Sequence, residues 1–479
     1  MSLPALRPAA TVATASSTDP LPAHRARPWR RALSALTPLT PLAPLVLLAG
    51  LGLGGLGAGG TAQAAGQEAA VRTAKDAKDA QNVQNARRAK RGQDAGSARR
   101  ATTTAPTATT QPAPATRSAK AAGPALPPPP AYGETPAVQA LAQRLAAQHG
   151  LDAAWVTRTI ASATPNASVQ RLIMPAATPA AKNWAAYRAR FVEPQRIAAG
   201  VDFWARHADV LARAEARYGV PAALIVGIIG VETYYGRVMG SFRVLDALAT
   251  LSLDFPSGRS DRSAFFQDEL GQFLAWTSRE QLDPLSVRGS YAGALGLGQF
   301  MPGSLMRHAV DFDGDGHIDL RGSAADAIGS IAAYLRDHGW QPGLATHYAA
   351  TPPADGTALA TMLAPDIKPS FTRAQWQALG AGLGPEAAAH PDDGTPAALL
   401  ALVQLHNGQI EGQAAAPATW LAGTQNFYAV TRYNWSAYYA AGVIDLGATV
   451  AHAWLARRGP STDGAAASAP IPAPAAAAR

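Results

Sequence analysis

The chain has 479 residues, no cysteine, and 41 Lys and Arg against 33 Asp and Glu, a net charge of +8. That length allows two to four domain-sized units, and the missing cysteine excludes a disulfide scaffold, a Cys-ligated zinc, a thiol nucleophile and lipid attachment to an N-terminal Cys. The positive balance is local. Residues 1–65 carry 5 Lys and Arg against 1 acid, residues 66–130 carry 11 against 4, and residues 131–479 carry 25 against 28. The part with folding capacity is slightly acidic, which argues against a nucleic-acid partner.

Arg25, Arg27, Arg30 and Arg31 precede an uncharged run from Ala32 to Gly60, and Ala62-Gln63-Ala64 then forms a small-x-small site. This order predicts an export signal over residues 1–65 and a periplasmic location, with the Arg30-Arg31 pair leaving a twin-arginine route open beside the general one. A retained membrane helix is the alternative, though Pro38, Pro41, Pro44 and four glycines between Gly50 and Gly55 make a poor span. Residues 66–132 are Ala, Thr, Gln and Pro with scattered cations, too poor in large apolar groups to offset ordering entropy. They read as a disordered basic linker, either a solvated spacer or a contact with anionic lipid or cell-wall polymer.

From residue 133 to 460 the pattern is that of a folded, mainly α chain with a small β portion. Helical spacing predicts helices at Pro136–Gln148, Asp152–Ser162, Lys182–Phe191, Ile197–Tyr218, Ala222–Tyr235, Ser263–Ser278, Met301–Ala309 and Ala324–Asp337. Pro221 sits where an N1 proline belongs. Residues 343–430 contain the β portion, with a capped helix at Thr372–Leu379 and short strands at Leu399–Leu405 and Gln425–Val430. Trp435–Ala456 returns to helix, and residues 461–479 read as a disordered tail.

The segment Leu224–Gly236 is apolar on every side, so its helix belongs in a core. Glu232 lies near its end among residues that cannot neutralise it. Desolvation there raises the pKa of a carboxyl, which suits a general acid. A structural Glu held by a backbone group or by Arg237 is the competing reading.

Four blocks bear on that choice: GVETYYGRVMG at Gly230–Gly240 with RVLDALATLS at Arg243–Ser252, GSYAGALGLGQFMP at Gly289–Pro302, DFDGDGHID at Asp311–Asp319 and QNFYAVTRYN at Gln425–Asn434. Together they resemble the membrane-bound lytic murein transglycosylase B family, over roughly residues 135–460. The resemblance implies a lysozyme-like α core with an N-terminal α domain and a small inserted β domain. It also implies cleavage of the β-1,4 bond between N-acetylmuramic acid and N-acetylglucosamine, without water, leaving a 1,6-anhydro end. The glutamate that serves first as acid and then as base matches Glu232. The implied partner is the glycan strand of peptidoglycan, with cell-wall synthase complexes as further candidates.

By the same matching, Ser290 and Gln299 fall in the sugar cleft, as do Tyr187, Tyr334, Tyr433, Asn434 and Tyr439. Turn chemistry at Ser290, a helix start at Gln299 and core packing of the tyrosines remain alternatives, and Tyr438 competes with Tyr439. Where family members tend to carry two adjacent arginines, this chain has Asp261 and Arg262, and Arg262 would hold a stem carboxylate or sugar oxygen. Asp246 and Asp254 are the candidates for a second carboxylate, with a salt bridge or cap and a loop turn as their simpler readings. One acid alone suits a substrate-assisted route.

Asp311, Asp313 and Asp315 alternate, followed by Gly316 and His317 at the carbonyl-donor position, as in the first nine places of an EF-hand loop. Gly322 stands at position 12, so Asp326 would close a longer, EF-hand-like loop over 311–326. A structural calcium is the expected occupant, with sodium as an alternative, and no organic cofactor is indicated. A muramidase that hydrolyses the same bond, a glycan-binding module and a calcium-dependent structural protein are the other functional readings.

Overall fold

The computed structural model describes residues 129–175, 182–408 and 416–458. The expected export signal, the alternative membrane helix, nearly all of the linker and the C-terminal tail lie outside the described residues. Among those described, no single helix is long and apolar enough to cross a membrane.

Three short helices open the fold: α1 (Pro136–His149), α2 (Ala153–Ala161) and α3 (Ala167–Ile173). Thr135, Asp152 and Asn166 start them by accepting backbone N–H groups that a helix leaves unpaired. Next come α4 (Trp184–Phe191), α5 (Pro194–Arg206), α6 (Ala208–Tyr218) and α7 (Ala222–Thr233). The helix expected over Ile197–Tyr218 is therefore two. His207 adopts φ −123° and ψ 23°, and its ring folds onto Phe203 at 4.6 Å. The break lets α5 and α6 serve different neighbours, the last of the described helices and α11 (Ala324–Asp337) respectively. Pro221 is the residue before α7 rather than its first.

Every residue of α7 is buried, and the helix lies along α15 (Ala437–Arg458). Two glycines bring their backbones into contact. A Cβ on Gly227 would stand 2.3 Å from the Val443 carbonyl oxygen, and one on Gly447 2.2 Å from that of Ala223. In the same core α8 (Val244–Leu253) packs on α9 (Ser263–Arg279) and α9 on α10 (Pro302–His308), with β1 (Phe242–Arg243) antiparallel to β2 (Arg288–Gly289).

The inserted portion is an antiparallel sheet in the order β4 (Gly382–Leu383), β3 (His347–Thr351), β6 (Thr419–Gly423), β5 (Ala401–Leu405). With α12 (Gly356–Leu363) and α13 (Arg373–Ala378) it encloses its own core of Tyr348, Met362, Trp376, Leu400, Leu402 and Ala422. The predicted capping box of Thr372 and Gln375 is formed. The strand expected at Gln425–Val430 is instead α14 (Gln425–Tyr433). Thr424 caps it through Asn426 N, and Phe427, Val430 and Tyr433 recur every three residues on the buried side, a helical rather than a strand period.

Because α7 and α15 touch through backbone, Gly447→Ala should lower stability by about 1–3 kcal/mol through overpacking. A urea unfolding midpoint measures it; an unchanged midpoint would mean that the helices separate at no cost.

Candidate active site

Glu232 is the penultimate residue of α7 and only 1% exposed. Beyond the helix the chain turns through Tyr234 and Tyr235 at φ 52° and 57°, a left-handed pair that non-glycine residues adopt only under constraint. Arg196 supplies part of that constraint. It is buried, donates from Nη1 to the Gly230 carbonyl at 2.6 Å, and holds its guanidinium 4.4 Å from the Tyr234 ring. A cation at a helix C-terminus is favourable both as donor and against the helix dipole. Arg237 lies on the Tyr234 ring at 4.7 Å.

From the adjoining α15, the Tyr439 hydroxyl reaches Glu232, donating to Oε1 at 2.8 Å. Tyr433 stacks on Tyr439 with centroids 6.4 Å apart and an interplanar angle of 9°. Burial, then the negative charge of Glu232, holds both hydroxyls well above the usual tyrosine range, so they remain protonated donors. Of the two neighbouring tyrosines, Tyr439 reaches Glu232, while the Tyr438 hydroxyl accepts from His406 N at 2.7 Å.

The glycine-rich segment is pinned against this pair. Tyr433 donates to the Gly298 carbonyl at 2.5 Å, and Thr233, beside Glu232, donates to that of Leu297 at 2.9 Å. Gln299 is buried in a left-handed conformation, φ 52°, with Nε2 donating to Gly296 O at 2.9 Å. Ser290 accepts on Oγ from the N–H groups of Ala292 and Ala294, at 3.2 and 2.9 Å, which is turn chemistry. Tyr334 donates to the Arg432 carbonyl at 2.6 Å and braces Tyr433 edge-on at 4.9 Å, so it packs behind the site. Asn434 is buried at the end of α14.

Tyr187 packs on Phe191 and Tyr438 and lines a cleft of about 450 Å³. Lys182, Arg190, Asp366, His406 and Trp435 also line it. Arg262 is buried beneath Phe265, its guanidinium 4.4 Å from the ring. Asp246 and Asp254 do not join Glu232. Asp246 pairs with Arg243 at 2.7 Å and accepts from Thr164 N, while Asp254 accepts from the Tyr132 hydroxyl.

In the acidic loop, carboxylate oxygens of Asp311, Asp313 and Asp326 lie within 4.8 Å of one another. Asp315 and His317 are not in this group. Asp315 accepts from His317 N at 2.8 Å, and the His317 ring faces Glu280 at 3.5 Å. Backbone N–H groups, Gly316 first, hold Asp311 below the usual carboxylate range. Burial pushes Asp326 up against N–H bonds from Asp319 and Phe312.

Besides Asp445, which pairs with Arg188 at 2.7 Å, two buried charges escaped sequence reasoning. One is Arg196. The other is Glu269, whose carboxylate accepts from Gly303 N at 2.7 Å at the start of α10. It falls on the face of α9 that buries Phe266, Leu270 and Phe273, and an acid at that spacing was the available signal.

The fold is a mainly helical core with a buried carboxyl, Glu232, on its central helix. Residues 133–448 match the transglycosylase SLT domain, and the chain belongs to that family. It is a lytic transglycosylase. The membrane-bound lytic murein transglycosylase B of Escherichia coli K12 is 39% identical over 328 residues, 67% of this chain and 84% of that protein. The structure of Pseudomonas aeruginosa SltB1 is 38% identical with a TM-score of 0.59, covering 67% of this chain and 98% of that one. Slt35 of E. coli, solved in complex with calcium, is 37% identical with a TM-score of 0.56 over 68% and 96%.

Burial raises the Glu269 carboxyl to about 7, against the Gly303 N–H bond and Arg307, which lower it. The folded state therefore keeps a proton that the unfolded chain loses near pH 4.5. The stability Glu269 contributes is full below that pH and is lost as pH rises through about 7, a change of about 3 kcal/mol. Glu269→Gln should flatten this fall, as read by urea midpoints between pH 4 and 8; an unaltered pH slope would contradict it.

Proposed function

We propose that Glu232 is the sole acid and base in cleavage of the bond between N-acetylmuramic acid and N-acetylglucosamine, with 1,6-anhydromuramic acid as product. The protonated carboxyl gives its proton to the glycosidic oxygen, which leaves as the 4-hydroxyl of N-acetylglucosamine. The muramoyl 2-acetamido group shields the positive charge at C1. The carboxylate then takes the proton of the 6-hydroxyl as that oxygen bonds to C1, so no water is consumed.

The observation that carries this reading is the burial of Glu232 against a neutral donor. Burial favours the protonated carboxyl, and the Tyr439 hydroxyl offsets the charge left after transfer. Asp246 and Asp254 are committed to other partners, which leaves the substrate-assisted route as the fitting one. In this reading Tyr187, Tyr433, Tyr439, Asn434, Ser290 and Gln299 shape the sugar cleft, Tyr334 supports Tyr433, and Arg262 stands at the stem side. Slt35 has been solved with bulgecin A, and P. aeruginosa SltB3 with NAG-anhNAM-pentapeptide, which supports glycan strands as substrate here. The Arg25–Ala64 pattern supports export to the periplasm, and the chain has no cysteine to lipidate.

Mass spectrometry of muropeptides released from purified peptidoglycan tests the chemistry. Fragments one water lighter than hydrolytic ones are expected, and none from the Glu232→Gln protein, which should still bind glycan. Reducing ends would make the enzyme a muramidase, and an active Glu232→Gln would remove the residue from the reaction.

The acidic loop fits a hard divalent cation. Asp311, Asp313 and Asp326 bring three carboxylates together, and anions this close repel unless neutralised. A bound calcium would hold the loop to the start of α11 as a structural element. Calcium at about 100-fold over its Kd should stabilise the protein by about 2.7 kcal/mol. Combined Asp311→Asn and Asp313→Asn should abolish that rise in melting temperature. No calcium effect on the unaltered protein would refute the site.

A further inference from the structure

Glu269 is a buried acid that the reaction above does not use. Its surroundings point outward to the active segment rather than inward to the core. Met301, which precedes α10, offers no side-chain cap to that helix, so its first N–H groups need an acceptor from elsewhere. Glu269 reaches across from α9 and accepts from Gly303 N. Four residues upstream is the strained Gln299, and Phe300, between them, exchanges backbone hydrogen bonds with Leu295. The segment is thus fixed at its upstream side by Thr233 and Tyr433, and at its downstream end by Glu269.

We propose that Glu269 is a positioning residue: by capping α10 at Gly303 it holds Gln299 and its strained turn in the geometry used for turnover. This rests on the reading that places Gln299 in the cleft of Glu232. The strength of the anchor depends on charge, since an ionised acceptor makes the stronger bond and also suits a helix N-terminus. Burial brings the carboxyl to about 7, within the range where the enzyme can be assayed. The charged groups around it are Arg262 and Asp268 on its own helix and Arg307 on α10. From α1 come Arg144, bonded to Gln267, and His149, packed at Gly271 and facing the charge of Asp268. Asp246 on α8 is paired with Arg243.

The test is kcat and KM on purified peptidoglycan from pH 5 to 8.5 for the unaltered enzyme, Glu269→Gln and Arg307→Gln. The amide keeps a neutral acceptor at every pH. The ratio of unaltered to Glu269→Gln kcat should be near one at low pH and rise to roughly five-fold above pH 7, with KM little changed. Arg307→Gln, an exposed change, removes a nearby cation and should move the unaltered enzyme's inflection upward. A flat ratio, or an inflection unmoved by Arg307→Gln, overturns the positioning role. If Glu269→Gln fails to fold, the Arg307→Gln shift alone decides. Failure of the Glu232 assignment shows separately, as turnover by Glu232→Gln.

Discussion

The architecture depends on keeping one carboxyl inside an apolar helix. An unpaired buried charge costs several kcal/mol, so a helix such as α7 tolerates Glu232 only if its other positions supply the burial energy and its neighbours supply a donor. Both conditions are met by the same contact. The glycines at positions 227 and 447 let α15 lie against α7 at backbone distance, and α15 then carries Tyr439 to Glu232. A wider helix spacing would loosen the packing and remove the hydroxyl together.

A second constraint follows from the first. In the proposed reaction a glycan must reach Glu232, so one side of the buried acid has to be covered by chain that approaches closely without filling the space. The glycine-rich segment does this, and its small residues cannot hold themselves in place. Their order comes from outside: Thr233 from α7, Tyr433 from α14 and Glu269 from α9 each take one backbone group. Left-handed Gln299, like Tyr234 and Tyr235, persists because several such bonds over-determine it.

The parts that were legible in the sequence are those set by local chemistry. Caps at Thr135, Asp152 and Thr372, the apolar α7 with its acid, and the alternating aspartates all announce themselves within a few residues. What stayed hidden is set by distant partners. The apolar run after Thr424 reads equally as strand or helix until β6 occupies the place beside β3. His207 looks helical until α5 and α6 find separate neighbours. Tyr334 matches the cleft residues by position, yet its hydroxyl is spent on Arg432. Asp315 departs from the loop pattern through a local bond instead, its carboxylate accepting from the N–H of His317 two residues on.

The buried and half-buried acids of this fold are neutralised in different ways, and the contrast bears on which one can move a proton. Asp246 and Asp445 each pair with an arginine at 2.7 Å, Arg243 and Arg188 respectively. Asp326 is held by backbone N–H groups, which also favour the anion and cannot adapt if it is protonated. Glu269 has a backbone donor with arginines nearby, and its charge state matters to a helix end rather than to a substrate. Glu232 is met by a tyrosine hydroxyl, a donor that carries no charge and that burial prevents from ionising. Such a partner stabilises the carboxylate modestly and, by rotating, also accommodates the protonated carboxyl. In the proposed reaction Glu232 is acid in one half and base in the other, and a neutral donor such as the Tyr439 hydroxyl suits both states.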